Sequence, residues 1–473
     1  MSGAALISWF AFAWAACAAL LAGGTIFSRM ALHSVAVLDG LLSEKNEDDK
    51  LDLVQSRTAL LTKSLLAVVA FIGAIIALGI ALDIALNWAL GEGGILGSGG
   101  RSVGWELLAG SLGALPPWIR FSRRNARLDF SPLSVLLHRI AFDHPNLSWR
   151  LFKRDLKGRG DIPSRPDFLL ITGLARSGTT SMLNHISRVE RFDSLSYANL
   201  PFLLAPNLWR RLYNPAQGEA VERSHKDGVL IHHRSVEALE EYFFKVITRD
   251  GFIHEDRLVP HDISSKQAQD YIDYQRVVRS GPEKIYLAKN NNALLRYPSL
   301  RRLNADFRAV ILFRHPLYHA ASLLSKHLQY GKLHIKDPFV NEMMDWLGHH
   351  EFGLGHKPMA WTGTAAGASA ELPTGLPTTL DYWIEVWIEY HGQLLAIDDT
   401  CCIWVDYANF CARPSQVIEQ VLAPWGEKWD FEKIAAFDNT REIKQQHNPA
   451  LLQRALQLYT ELQEKSMAQR HVN

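Results

Sequence analysis

The sequence predicts an α/β protein with a P-loop-type, mainly parallel sheet flanked by helices, preceded by an N-terminal membrane helical region. Strand and helix signals alternate from Asp167 onward, which is the pattern of helices packed on a parallel sheet. A glycine-bounded turn, Gly173 to Gly178, follows the first of these strands, and long uncharged stretches precede them all. These features divide the chain into a membrane region, a linker and an α/β domain, at residues 1–119, 120–166 and 167–473.

The amino-acid composition limits the kinds of binding partner that we expect. The chain has 473 residues, enough for two or three domain-sized units, and 48% of them are hydrophobic. Its net charge of +1 provides no general attraction for polyanions, so nucleic acid is not an expected partner. The four cysteines lack C-x-x-C spacing, which predicts neither a disulfide framework nor a zinc site and favours a reducing compartment.

Uncharged segments predict two membrane helices near the N-terminus. Residues 4–27 are long enough to cross a bilayer, and they lack the preceding Lys or Arg of a cleaved signal peptide. Residues 64–89 form the second predicted helix, with an uncharged run from Ser64 to Leu82. Residues 103–119 contain Glu106 and two prolines, so this segment is either re-entrant or a third crossing.

The linker is basic, and its charges bear on topology. Positive residues beside membrane segments tend to stay in the cytoplasm, so we expect the chain beyond residue 120 to lie there, against anionic lipid. The loop between the first two helices is basic too. Both basic regions are cytoplasmic if residues 103–119 cross the membrane, and one must face outward if they do not. The linker clusters comprise Arg120, Arg123, Arg124, Arg127, Lys153, Arg154, Lys157 and Arg159.

Short apolar runs and amphipathic stretches define the elements of the α/β domain. The predicted strands are Phe168–Thr172, Phe192–Ser196, Lys284–Ala288, Ala309–Phe313 and Cys402–Val405. The predicted helices are Ser181–Arg188, Val236–Val246, Ser322–Gln329, Leu380–Ile397, Pro414–Ala423 and Leu451–Met467. Ligands of such sheets bind beyond the carboxyl ends of the strands. Residues 362–379 are rich in small residues and proline, which predicts a mobile loop.

The turn after the first strand predicts a phosphate site. Ser177, Thr179 and Thr180 lie where the following helix should begin, between and beyond the glycines Gly173 and Gly178. Backbone N–H groups at a helix N-terminus, together with the positive end of the helix dipole, bind phosphate. The residues of this turn therefore favour an anion cradle over an ordinary connection.

The cation of this turn is unusual. The pattern G-x-x-x-x-G-K-[ST] uses a lysine after its second glycine to reach the terminal phosphates of a triphosphate. Thr179 occupies that position here, and the nearby cation is Arg176, inside the turn. An ordinary ATPase or kinase is therefore disfavoured, and the turn suits a nucleotide whose transferred group is not a γ-phosphoryl.

A second anion site is predicted after the strand that ends at Phe313. Arg314 follows at the same sheet edge as the turn, Pro316 forces a change of direction, and Ser322 comes eight residues after the arginine on a helix. A guanidinium and a hydroxyl so placed can hold a second phosphate, the arginine with two parallel hydrogen bonds.

Together, the two motifs resemble those of sulfotransferases that use 3′-phosphoadenosine 5′-phosphosulfate. The first family motif, G-x-x-[KR]-S-G-T-[ST], matches Gly173, Arg176, Ser177, Gly178, Thr179 and Thr180. The second matches Arg314, Pro316 and Ser322. The resemblance runs from Asp167 to the C-terminus and is closest to a bacterial branch. It implies that the first motif binds the 5′-phosphosulfate and the second the 3′-phosphate. Together with the uncharged segments and the basic linker, it predicts a protein of the bacterial inner membrane with its catalytic domain in the cytoplasm. A later glycine-rich basic loop of the animal branch has no clear counterpart.

Sulfuryl transfer needs in-line positioning, charge stabilisation and a base for the acceptor hydroxyl, but no metal. Lys289 follows a predicted strand, which would point it at the bridging oxygen. The resemblance implies a Glu or His base, for which Glu240 is the first candidate and His225 the second. Ser235 is a plausible N-cap for a helix carrying Glu237, Glu240 and Glu241.

Other clusters favour packing over chemistry. His349, His350 and His356 lack metal-ligand spacing, so a structural or acceptor-pocket role is expected and no metal ligand is assigned. Trp383 and Trp387 lie four residues apart on one helix face, which favours the core.

Three functions follow from these patterns. The first is a membrane-anchored sulfotransferase whose hydroxylated acceptor is amphiphilic, such as a lipid, a carotenoid or a sugar-lipid, or else a glycan or small molecule. The second is a P-loop NTPase or kinase of another family. The third is a non-catalytic membrane scaffold with a relic nucleotide site. The sequence predicts the lipid bilayer as a partner and leaves the oligomeric state open.

Overall fold

A computed structural model describes residues 26–42, 47–90, 132–213, 221–222, 230–231, 236–361, 372–428, 436 and 443–470. Backbone contacts divide the chain into two compact units, Met1–Arg150 and Leu151–Asn473.

Helices make up the described part of the first unit. Residues 26–41 are helical, and a long helix α1, Glu47–Leu90, follows. Helix α1 is continuous, and includes the mixed-charge residues 51–63 that precede the second predicted membrane helix. Helices α2 and α3, Pro132–Phe142 and Pro145–Lys157, occupy part of the segment predicted as a linker. Residues 4–25 and 103–119, which carry two of the predicted membrane segments, lie outside the described residues.

Asp39 ties three helices of this unit together. Its buried carboxylate accepts from Arg57 Nη1 at 3.1 Å, from Asn146 Nδ2 at 3.3 Å and from the Leu147 backbone N–H at 3.0 Å. The last two contacts lie in the first turn of α3, where a carboxylate satisfies otherwise unpaired N–H groups. The end of the first helix, α1 and the start of α3 are therefore adjacent.

A five-stranded parallel sheet forms the centre of the second unit, in the order β2-β5-β1-β6-β7. Strand β1 lies in the middle, where Ile171 is in register with Lys289 of β5 and Val310 of β6. Its apolar residues are all buried, as expected for a strand covered on both faces. The strands are β1 Phe168–Thr172, β2 Phe192–Asp193, β5 Ile285–Lys289, β6 Arg308–Phe313 and β7 Cys402–Asp406, while β3 Val221–Glu222 and β4 Leu230–Ile231 form a separate antiparallel pair.

Helices surround this sheet. They are α4 Thr179–Ile186, α5 Pro206–Leu212, α6 Glu241–Thr248, α7 Ser265–Val278, α8 Tyr297–Leu303, α9 Pro316–Lys336, α10 Pro338–Trp346, α11 Leu380–Leu395, α12 Tyr407–Ala412, α13 Pro414–Leu422 and α14 Pro449–Arg470. Side chains of α4 and α13, among them Met182, Leu183 and Ile418, pack against the sheet in one apolar core. The predicted α/β fold with a mainly parallel sheet is therefore confirmed.

One predicted helix is misplaced in a way that affects the site. The helix expected at Val236–Val246 begins only at Glu241, and residues 236–239 are not helical. Val236 instead forms an isolated bridge with Ser196, and the Glu237 N–H donates to the Leu195 carbonyl. Glu237 therefore lies in an extended segment beside β2 and not on the helix.

Candidate functional site

The turn after β1 has a backbone that only glycine can adopt at two positions. Gly173 has φ +153°, and a Cβ there would lie 2.5 Å from the Leu312 carbonyl oxygen. Gly178 has φ +102°, and its Cβ would lie 2.4 Å from the ring of Tyr407. Both contacts are closer than real Cβ atoms show, so the two glycines allow the chain to turn tightly against β6 and α12.

Arg176 also has a left-handed backbone, with φ +72°, which is strained for a residue with a side chain. The preceding carbonyl, that of Ala175, accepts from the buried His319 Nε2 at 2.8 Å, which helps to fix the turn. The Arg176 side chain is exposed, and its Nε lies 3.4 Å from Ser322 Oγ on α9. The cation of the first motif and the hydroxyl of the second are thus neighbours.

The hydroxyls of the turn are arranged around the start of α4. Ser177 is fully buried, and its Oγ has no hydrogen-bond partner among the described residues. Thr179 Oγ1 lies 3.5 Å from Asn291 Oδ1, and Thr180 Oγ1 accepts from Lys289 Nζ at 2.7 Å. A buried hydroxyl without a partner is unfavourable, so an anion held by the turn would satisfy Ser177.

Arg314 is half-buried directly after β6, at the same sheet edge as the turn. Its guanidinium carbon lies 5.0 Å from the centre of the Tyr407 ring, the ring that also faces Gly178. Burial, reinforced by Cys411, raises the pKa of Tyr407 to about 12, so the phenol stays neutral. Tyr407 therefore joins the two motifs, a role that nothing in the spacing of the sequence indicated.

Lys289 ends β5 and lies beside the start of α4. Its buried ammonium donates to Thr180 Oγ1 and pairs with Glu237 Oε1 at 3.0 Å. The Glu237 carboxylate is itself held by the Ala238 N–H at 3.0 Å and the Tyr197 hydroxyl at 3.1 Å. Glu237 balances the lysine charge in a buried place where an unpaired ammonium would be costly.

Glu240, the first candidate for the base, lies elsewhere. Its buried Oε2 accepts from Tyr271 at 2.8 Å and Tyr286 at 2.9 Å, while Oε1 accepts from Asn290 at 3.0 Å. Burial raises the pKa of Glu240, with Glu241 adding to the shift against the opposing hydrogen bonds. None of these contacts reaches the phosphate turn, so Glu240 as base stays a prediction that the geometry does not support. His225, the second candidate, lies outside the described residues.

A pocket lies beside the turn. Leu174 and Ala175 of the turn line it, together with aromatic and ionisable side chains. These include Glu351, His356, Trp361, Trp383, Glu389 and Tyr390. Apolar walls with a few polar groups are typical of sites for small organic ligands.

Of the clusters set aside above, His350 and His356 line this pocket. Trp383 and Trp387 are buried as expected, and Trp383 also faces the pocket. Among the residues that the structure describes, no group of three or more His, Cys, Asp or Glu side chains is placed to hold a metal ion.

The structure therefore brings together most of the predicted nucleotide-binding residues. Arg176 meets Ser322, Thr180 meets Lys289, and Arg314 and Gly178 share the ring of Tyr407. Sequence reasoning missed Asn291, Glu351 and Tyr407. They belong to segments far apart in the chain.

Comparison with solved structures finds sulfotransferases. The chain is 14% identical to sulfotransferase STF9 from Mycobacterium avium, covering 71% of this chain and 79% of that one with a TM-score of 0.38. It is 14% identical to sulfotransferase STF1 from Mycobacterium tuberculosis H37Rv, covering 65% and 80% with a TM-score of 0.34. A sulfotransferase from Alicyclobacillus acidocaldarius is 14% identical, with coverage of 65% and 100% and a TM-score of 0.32.

The sequence matches no family model and no curated protein. At these identities and TM-scores, the likenesses do not by themselves establish an activity, which has to be argued from the site.

Proposed function

We propose that this chain is a membrane-anchored sulfotransferase, which moves a sulfuryl group from 3′-phosphoadenosine 5′-phosphosulfate to a hydroxyl acceptor. The observation that carries the proposal is the meeting of Arg176 with Ser322, 3.4 Å apart, because it joins two anion sites at one edge of the sheet. A nucleotide with phosphate groups on both its 5′ and 3′ oxygens needs two such sites.

The turn would hold the 5′-phosphosulfate. Its glycines let the turn pack tightly against β6 and α12, and the first turn of α4 offers N–H groups without intrahelical partners. The unpartnered Ser177 hydroxyl fits an anion at that place. Arg314 and Ser322 would hold the 3′-phosphate, with Arg314 positioned by the Tyr407 ring.

Transfer is then a displacement at sulfur. A lone pair of the acceptor oxygen forms a bond to sulfur, while the bond from sulfur to the bridging oxygen breaks and its electron pair leaves with adenosine 3′,5′-bisphosphate. Lys289, next to Thr180, would donate a hydrogen bond to that departing oxygen and stabilise its charge. The acceptor proton passes to a base.

The membrane anchor is supported by helix α1. Its segment Glu47–Ala74 is the one stretch among the described residues that contains an 18-residue window apolar enough to cross a bilayer. Large apolar side chains, including Leu65, Leu66 and Val69, are more than half exposed on it. A bilayer around this helix would cover them.

Asp39 bears on the topology of such an anchor. It contacts the start of α3, so the N-terminal end of α1 and residue 146 lie on the same side of any membrane that α1 crosses. Basic residues lie on both sides of this contact, and the positive-inside rule favours the cytoplasm for them, which is where the donor is made.

The proposal is tested with the full chain in its own membrane fraction. The membranes are supplied with ³⁵S-labelled 3′-phosphoadenosine 5′-phosphosulfate, and organic and aqueous extracts are separated. We expect label in a new product, which partitions into the organic phase if the acceptor is amphiphilic. Binding of the donor without transfer to any acceptor would support a relic site instead, and Mg²⁺-dependent ATP hydrolysis without transfer would support an NTPase.

A further inference from the structure

The pocket beside the phosphate turn contains a carboxylate that is connected to the turn. Glu351 lines the pocket with Leu174 and Ala175, the first residues of the turn. Its side chain is 15% exposed, so it is sheltered but open to a ligand. We propose that Glu351 is the catalytic base that receives the proton of the acceptor hydroxyl, an inference that rests on the proposed sulfuryl transfer.

The position of Glu351 is fixed by Asn291. The amide nitrogen of Asn291 donates to Glu351 Oε1 at 3.1 Å, and its amide oxygen lies 3.5 Å from Thr179 Oγ1. Thr179 is the first residue of α4, and Asn291 comes two residues after Lys289. One short chain of contacts thus joins the carboxylate to the end of the helix at which the sulfuryl group would lie.

His349 is the second neighbour of the carboxylate. Its Nδ1 lies 3.6 Å from Glu351 Oε2, on the side away from Asn291. Burial by itself opposes ionisation of Glu351. The charge and hydrogen bond of His349, together with Asn291, outweigh it and lower the pKa of Glu351 to about 2. Glu351 is therefore ionised and able to accept a proton throughout the physiological range.

A weak base is adequate for this reaction. As the acceptor oxygen bonds to sulfur, its O–H becomes strongly acidic, because the oxygen would otherwise carry a positive charge. The O–H bond then breaks, its electron pair stays on oxygen, and the proton goes to Glu351 and from there to solvent. The base of protein kinases also serves a transfer with a loose transition state by accepting the hydroxyl proton.

A second carboxylate, that of Glu389 on α11, also lines the pocket and is the competing candidate. Burial raises the pKa of Glu389, with Arg454 acting against the shift and Glu385 adding to it. The hydrogen bonds of the described residues connect Glu351 to the phosphate turn through Asn291, whereas none connects Glu389 to it. We therefore assign the base to Glu351.

Glu351→Gln is the direct test, in the full chain with ³⁵S-labelled donor and the membrane extract that serves the wild type. We expect kcat to fall about 100-fold or more, as for loss of a general base. The affinity for adenosine 3′,5′-bisphosphate, measured by calorimetry, should change less than about threefold. Glu385→Gln is the control, since its carboxylate binds Thr374 outside the pocket, and it should keep its activity.

Chemical rescue separates a base from a structural residue. Formate can enter the space left by Glu351→Ala and accept the proton, so added formate should restore part of kcat without changing nucleotide affinity. Chloride at the same concentration should not. A folding role for Glu351 would give no rescue and would overturn the assignment.

The outcomes also separate this inference from the proposed function. If the wild-type chain transfers no label, the proposed function itself is wrong. If the wild type is active and Glu351→Gln is equally active, only the assignment of the base is wrong. The same holds if kcat falls in Glu389→Gln and not in Glu351→Gln.

Discussion

Lys289 and Glu237 form a buried ion pair that bears on both the stability of the fold and the proposed chemistry. The ammonium of Lys289 lies where it can stabilise a departing oxygen, but it is buried and has to be balanced by a carboxylate. Removing one member of such a pair leaves an uncompensated buried charge, which typically destabilises by about 3–5 kcal/mol. The same residue can therefore appear essential for two different reasons.

A double substitution separates these reasons. Lys289→Met should lower the free energy of unfolding by about 3 kcal/mol, because Glu237 is left as an unpaired buried charge. Adding Glu237→Gln should recover most of that loss, measured by chemical denaturation, while ³⁵S transfer stays as low as in the single variant. Recovery of transfer along with stability would show that Lys289 serves folding only.

The raised pKa of Glu240 predicts how the stability of the fold depends on pH. Its pKa is raised in the folded chain, mainly by burial, so the fold binds this proton more tightly than the unfolded chain does. Its contribution to stability is therefore complete below its ordinary pKa of 4.5 and is lost as the pH rises. A glutamine at this position has no such dependence.

The variant Glu240→Gln should therefore gain stability relative to the wild type as the pH rises from about 5 to about 8. The unfolding midpoints of the wild type and the variant, measured across this pH range, give the change in their stability difference. A pH-independent effect of the amide on stability does not alter that change. The variant should also keep its transfer activity. A large loss of kcat in Glu240→Gln would instead restore Glu240 as the base.

At the scale of elements, the contact between the phosphate turn and α12 organises the site. Gly178 leaves room for the Tyr407 ring, and that ring in turn supports Arg314 at the end of β6. The turn, the strand end and the helix are thus positioned by one aromatic side chain. We therefore expect a substitution of Gly178 or Tyr407 to weaken anion binding at both proposed sites.

Gly178→Ala tests this contact. The added Cβ would lie 2.4 Å from the Tyr407 ring on a backbone with φ +102°, so both the unfolding midpoint and the affinity for adenosine 3′,5′-bisphosphate should fall. Tyr407→Ala in the same chain should recover part of the stability by relieving the clash, although the backbone strain remains. Gly392→Ala is the control, because nothing lies within 4 Å of a Cβ built there and alanine has a higher helix propensity than glycine. Equal effects of the two alanines would contradict the contact.

Sequence alone located the elements that carry local signals. The strand Phe168–Thr172 has the predicted bounds, and β5, β6 and β7 lie within two residues of theirs, because buried parallel strands are continuous apolar runs. The predicted anion-binding residues follow strand ends at fixed spacings, which is why a sequence pattern can pick them out. The start of α6 was missed, since tertiary pairing of Val236 with Ser196 overrides the helical pattern that begins there.

The contacts around the turn after β1 could not be predicted in the same way. Asn291 and Glu351 lie in connections, whereas Tyr407 begins α12. Asn291 reaches Glu351, and Tyr407 lies beside Arg314, only after the sheet has formed. Their contacts are long-range, and no local periodicity or motif encodes them. Glu240 is a candidate base in the sequence because the resemblance implies a Glu or His and a predicted helix carries Glu240, and neither feature reveals how deeply the side chain is buried.

At the scale of the whole molecule, the chain joins a helical unit to an α/β unit. Asp39 connects the helices of the first unit, since it holds the start of α3. If α1 crosses a membrane as proposed, its N-terminal end and residue 146 lie on the same side of that membrane.

Cysteine labelling tests that topology. In a chain whose native cysteines are replaced, Asp48→Cys at the start of α1 and Asp143→Cys just after α2 introduce exposed thiols, which the proposal puts on the same face of the membrane. A membrane-impermeant maleimide should label both in inside-out vesicles and neither in right-side-out vesicles. Labelling of the two positions from opposite faces would contradict the proposed anchor.

The central claim is that two motifs hold one nucleotide by its 5′ and 3′ groups. Calorimetry on the full chain in detergent, comparing adenosine 3′,5′-bisphosphate with adenosine 5′-phosphate, tests it most directly. We expect the 3′-phosphate to improve affinity about 10- to 100-fold, as charge-assisted hydrogen bonds do, and Arg314→Ala to abolish that gain. Arg308→Ala, at the opposite end of β6, should preserve it. Equal affinity of the wild type for the two nucleotides would contradict the account.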